Sequence, residues 1–119
     1  MAYDQNNVFA RILRGEIPAS KVYEDEYALA FKDLHPKAPI HVLVIPKGAY
    51  INFTDFAKNA SADERAGFFK AVAFVAETLG VEETGYRLLS NIGRDGGQEV
   101  PHFHVHLFAG AKLGAMIGK

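Results

Sequence analysis

From Val100 to Phe108, His102, His104 and His106 alternate with Phe103, Val105 and Leu107. Extended backbone turns successive side chains to opposite faces and advances about 3.3 Å per residue, so a strand here carries three imidazoles on one face about 6.6 Å apart. Phe103, Val105 and Leu107 then share the other face and can meet a core. In a helix, by contrast, alternate residues lie about 200° apart and the imidazoles would scatter. The segment predicts a strand over Val100–Phe108 with one polar and one apolar face.

The rest of the chain supplies partners for such a strand. Val8, Phe9, Ile12 and Leu13 form one helical stripe, with Asn6 or Asn7 as cap and Gly15 as stop. Lys21–Glu24 and Tyr27–Phe31 read as strands around the acidic turn Glu24-Asp25-Glu26. Asp33–Pro39 is a loop, because each proline restricts the residue before it and lacks an N–H. Ile40–Ile45 is almost continuously apolar and β-branched, as a strand covered on both faces would be. A weaker helical piece spans Ile51–Ala57.

The longest helix opens at Ser61 with Glu64 three residues on, a capping box, and keeps Phe68, Val72, Val75, Ala76 and Leu79 at helical spacing until Gly80. Tyr86–Ser90 is a further strand, followed by the glycine-bearing loop Asn91–Gln98. The Gly/Ala-rich tail takes no firm assignment. These elements predict an α+β fold: a mainly antiparallel five-stranded sheet, one long covering helix and a short N-terminal helix.

At 119 residues, the chain is sized for one domain over residues 1–119. It has no Cys, which excludes disulfides and thiolate metal sites, and its opening residues lack the pattern of a signal peptide. No stretch approaches the roughly 20 apolar residues of a membrane span. A cytoplasmic location and no membrane partner are therefore expected. The formal net charge of -1, with its cations dispersed along the chain, argues against nucleic acid as a partner. A small anion remains a fitting ligand, since backbone N–H groups and a few side chains can hold one phosphate.

Three of the five histidines fall within positions 102–106. A hydrogen-bonded polar ladder, a zinc site and an acid/base or nucleophilic centre all fit that spacing. An imidazole of reference pKa about 6.5 can attack, accept or donate near neutrality, which favours the last. Gly93, Gly96 and Gly97 precede the histidines directly, where backbone N–H groups could meet the group a histidine attacks. No Walker motif, dinucleotide-binding glycine motif or serine nucleophile elbow competes with this reading. His41 within its apolar strand could instead be a satisfied structural histidine, and Asp33 a loop cap. His35 reads as surface.

His102-Phe103-His104-Val105-His106-Leu107-Phe108 resembles the histidine triad motif. With it, in order, come Val8-Phe9, Arg14-Gly15-Glu16-Ile17-Pro18, Ala30-Phe31-Lys32-Asp33, Ala38-Pro39-Ile40-His41 and Gly96-Gly97-Gln98-Glu99-Val100. Nearly the whole chain is similar to the histidine triad nucleotide-binding proteins of the purine nucleoside phosphoramidase branch. The resemblance implies a homodimer with a purine nucleotide site, of AMP or GMP type, on each protomer.

It further implies that His104 attacks the α-phosphorus, that the His102 carbonyl orients the His104 ring, and that His106 binds phosphate and assists the leaving amine. His41 would complete the polar cluster. Asn91 and the Gly97, Gln98 and Glu99 backbone would position phosphate oxygens, Asp33 would accept from ribose, and Phe9, Ile12, Phe31 and Leu34 would line the purine pocket. No cofactor and no metal are implied.

Two departures accompany the resemblance. Glu99 stands where animal relatives carry Ser, as in the bacterial branch, so its backbone N–H rather than its carboxylate should meet phosphate. The tail after Phe108 differs from the usual one and lacks Trp. Cleavage of a dinucleoside polyphosphate, or nucleotide or zinc binding without catalysis, are the alternative functions.

Overall fold

A computed structural model describes residues 2–117. Three helices and five strands follow in the order α1 (Val8–Leu13), β1 (Lys21–Glu24), β2 (Ala28–Lys32), β3 (Ile40–Pro46), α2 (Phe53–Asn59), α3 (Ala62–Leu79), β4 (Arg87–Leu89) and β5 (Val105–Ala109). The strands form one sheet in the order β1-β2-β3-β5-β4, and every neighbouring pair is antiparallel. The α+β architecture expected from the sequence is the one observed.

Local chemistry sets the helix ends. Asn7 accepts from the Ala10 N–H to start α1, and Asn52 accepts from the Asp55 N–H to start α2. Ser61 and Glu64 form the reciprocal capping box of α3, and Gly80 closes that helix in the left-handed conformation at φ 70°. Within α3, Gly67 allows a close approach: a Cβ there would lie 2.2 Å from the Tyr27 ring.

Alternation divides the sheet into two faces. Ala28, Ala30, Val42, Val44, Leu107 and Ala109 point toward α2 and α3, where they pack with Phe56, Phe68, Val75 and Phe103. Leu29, Phe31, Leu43 and Ile45 point the other way and pack with Phe9 of α1. The short α1 covers only part of that second face. The histidines share this face, His102 and His104 against Phe9 and the His41–His106 pair beyond it.

The last strand is shorter than the predicted Val100–Phe108. Pro101 has no N–H to give, the His102 N–H turns back to the Val100 carbonyl, and the Phe103 N–H goes to the Tyr50 carbonyl. Ladder pairing therefore begins only at Val105. The alternation of faces survives this irregular entry, since Phe103 is buried against Phe56 and Phe68 while His102 and His104 lie on the α1 side.

Candidate functional site

Register brings the imidazoles together. β3 pairs with β5 so that Leu43 faces His106 and His41 faces Phe108. His41 and His106 are thus diagonal neighbours on one face of the sheet, within reach of each other. Their rings meet through His41 Nε2 and His106 Nδ1 at 2.9 Å, and Phe108 packs on both.

Each ring's partners fix its tautomer. The Lys37 backbone N–H donates to His41 Nδ1 at 3.1 Å, so the His41 proton is on Nε2 and is given to His106 Nδ1. His106 then carries its own proton on Nε2. The His102 carbonyl accepts from His104 Nδ1 at 2.6 Å. A carbonyl cannot donate, so His104 keeps its proton on Nδ1 and a free lone pair on Nε2.

Burial holds all four rings toward the neutral form. His102 and His106 are both lowered to about 4, chiefly by desolvation. Neighbouring His104 and His41 push His106 down further, while the Pro46 carbonyl partly offsets the shift at His102. His104 is also lowered by burial, against the raising influence of the His102 carbonyl, Asp33 and Glu99. His41 follows the same direction for the same first cause.

A cleft of about 440 Å³ opens over these rings, a volume suited to a small ligand. His41, His104 and His106 line it together with Phe9, Asp33, Asn91, Gly97 and Glu99. Other predicted residues lie elsewhere. Phe31 is buried behind Phe9 with their rings edge to face, and Ile12 packs in the same cluster. Leu34 is 88% exposed and outside the cleft. His102 is wholly buried beneath it.

Gln98 is occupied with the loop itself. Its side-chain oxygen accepts from the Gly93 N–H, and its amide donates to the Ile51 and Val100 carbonyls. The N–H groups of Gly97 and Gln98 are likewise spent inside the loop, on the Arg94 and Gly93 carbonyls. The Glu99 N–H makes no hydrogen bond among the described residues. Gly96 is needed for a close approach, because a Cβ there would lie 2.3 Å from the Ile92 carbonyl oxygen.

Asp33 serves its loop and faces the site at once. Oδ1 accepts from the His35 N–H at 2.7 Å, an Asx turn, and Oδ2 stands 3.5 Å from His41 Nε2. Asp33, His41 and His106 bring potential metal ligands within 4.8 Å of one another. The donor chemistry does not fit an ion: with Nδ1 accepting from Lys37, His41 Nε2 bears a proton and has no lone pair to give.

Sequence reasoning missed several cleft residues. His35 is exposed as expected but also lines the cleft, as do Lys37, Leu43, Leu89, Val100 and Phe108. Phe108 and Leu43 could have been found from the alternation of their strands, which puts them in phase with the histidines. His35 and Lys37 carry no such signal because their loop has no period.

A family model, the HIT domain, matches residues 14–113. The chain belongs to the HIT domain family. Within that family it is 62% identical to an uncharacterised 13.2 kDa HIT-like protein of Azospirillum brasilense, over 98% of this chain and 96% of that one. It is 41% identical to the purine nucleoside phosphoramidase of Escherichia coli, covering 95% of this chain and 94% of the relative. The HIT family hydrolase from Clostridium thermocellum superposes with a TM-score of 0.86 at 42% identity, over 96% of this chain and 98% of that structure.

Proposed function

We propose that this HIT protein is a hydrolase that cleaves purine nucleoside 5'-phosphoramidates and related adenylates through a nucleotidyl group on His104. The carrying observation is the 2.6 Å hydrogen bond from His104 Nδ1–H to the His102 carbonyl, which leaves Nε2 as a nucleophile in the cleft. The likeness to the Escherichia coli purine nucleoside phosphoramidase supports the choice of substrate.

His104 Nε2 attacks the α-phosphorus, the P–N bond breaks, and the departing nitrogen takes a proton through His106. Water then cleaves the N–P bond to His104 and releases the nucleoside monophosphate. Asn91 and the Glu99 N–H face phosphate oxygens, Asp33 Oδ2 accepts from ribose, and Phe9, Leu43 and Val100 form the apolar wall for the base.

A second copy of the chain completes the assembly. β4 is an edge of the sheet, and beside it Leu88, Phe53 and Phe69 are exposed around an apolar groove. An unpaired edge next to apolar side chains fits a twin strand better than water. A Leu88→Glu variant should sediment as a monomer.

The test of the substrate is a comparison of adenosine 5'-phosphoramidate with a diadenosine polyphosphate. Faster hydrolysis of the phosphoramidate supports the assignment. Faster hydrolysis of the polyphosphate by orders of magnitude would replace it.

A further inference from the structure

We propose that Tyr3 is a positioning residue for the His104 nucleophile, acting through the ring and carbonyl of His102. The proposal rests on the nucleotidyl-histidine reading above. It starts from a hydrogen bond that links the N-terminal arm to the triad: Tyr3 Oη stands 2.5 Å from His102 Nδ1.

The direction of that bond is determined. His102 Nε2 lies 2.9 Å from the Pro46 carbonyl oxygen, which can only accept, so the His102 proton is on Nε2. Nδ1 is therefore an acceptor, and the Tyr3 hydroxyl donates to it. Burial raises the Tyr3 pKa from its already basic value, which keeps the hydroxyl protonated. The His102 ring is 0% exposed, so water cannot take the hydroxyl's place without opening the packing.

The ring matters because the backbone of His102 is outside the sheet. Ladder pairing between β3 and β5 begins at Val105, so no strand partner holds the His102 carbonyl that orients His104. Its local restraints are the His102 N–H on Val100, the Phe103 N–H on Tyr50, and the ring held from both sides by Tyr3 and Pro46. Loss of one side frees the ring to turn about its side-chain torsions, and the carbonyl follows.

Tyr3 is itself firmly placed. The Asp4 carbonyl accepts from both the backbone N–H and the side-chain amide of Asn7, the α1 cap. The Gln5 carbonyl accepts from Arg14 at the far end of the same helix. Phe9, on that helix, sets its ring edge to face against both His102 and His104. The N-terminal arm and α1 thus form one clamp on the orienting histidine.

Tyr3→Phe in the full chain removes the hydroxyl and keeps the ring. Histidine side-chain nitrogens are followed by 15N NMR without substrate, and kcat and KM are measured with adenosine 5'-phosphoramidate. The expected result is a shifted His102 Nδ1 signal, a reduced population of the His104 Nδ1–H tautomer, and kcat lower by about tenfold at a KM within about twofold. His104 nitrogen signals identical to the parent's would overturn the proposal whatever the activity. A His104 tautomer change in a protein whose parent leaves the phosphoramidate intact would uphold the role of Tyr3 and reject the substrate instead. If Tyr3→Phe does not fold, 3-fluorotyrosine at position 3, a stronger donor, must move the same signals the opposite way; unmoved signals would again overturn it.

Discussion

His41 Nε2 donates to His106 Nδ1 across 2.9 Å, joining two residues 65 positions apart through the register of β3 and β5. That bond sets which nitrogen His106 presents to the cleft. Replacing His41 with Ala leaves His106 Nδ1 without its donor and lets the ring adopt the other tautomer. The expected loss is about tenfold in kcat, with nucleotide monophosphate affinity changed much less. Steady-state kinetics beside calorimetric titration with AMP measure both.

The acid limb of kcat/KM should fall below the ordinary histidine range. His104 is lowered by burial, so its lone pair stays free at pH values where an exposed imidazole would be half protonated. A pH-rate profile with its acid inflection at or above about 6.5 would contradict this.

Stability carries the opposite cost. Burial lowers His102 and His106 to about 4 in the folded protein, from the ordinary histidine value of about 6.5. As pH falls below that value the unfolded chain binds protons first, so their contribution is fully present above about 6.5, declines toward 4 and levels off below it. Each group changes stability by at most about 1.4 kcal/mol per pH unit within that window. Urea midpoints measured from pH 7 to pH 4 should fall, and His102→Asn should flatten the slope.

Gly96→Ala tests the loop. The added Cβ would meet the Ile92 carbonyl oxygen at 2.3 Å, so the backbone from Ile92 to Glu99 must move. AMP affinity should drop by about tenfold while the thermal midpoint changes by only a few degrees, because the loop is exposed and contributes little to either core.

Much of this was legible in the sequence. The capping box at Ser61 and Glu64 announced α3, and the alternation around His104 put Phe103 in the core and the imidazoles opposite it. Register was not legible: no single-strand pattern says that Leu43 faces His106 or that His41 falls beside it. Nor did the alternation warn that Pro101 breaks the ladder and leaves His102 outside it. Leu34, expected at the base, is exposed outside the cleft, and the part His35 plays in lining it was not foreseen, since a loop built on the Asp33 Asx turn has no periodicity from which to read a side chain's direction. Tyr3 was missed because a lone aromatic in a polar terminal segment has no pattern around it.

The central claim is that His104 Nε2 is the nucleophile, and its most direct measurement is capture of the covalent intermediate. The protein is mixed with adenosine 5'-phosphoramidate, quenched at high pH to preserve an N–P bond, digested and mapped by mass spectrometry. The account predicts an adenylyl group on His104, and none in His104→Ala. An adduct on His102, His106 or His41, or full turnover by His104→Ala, would contradict it.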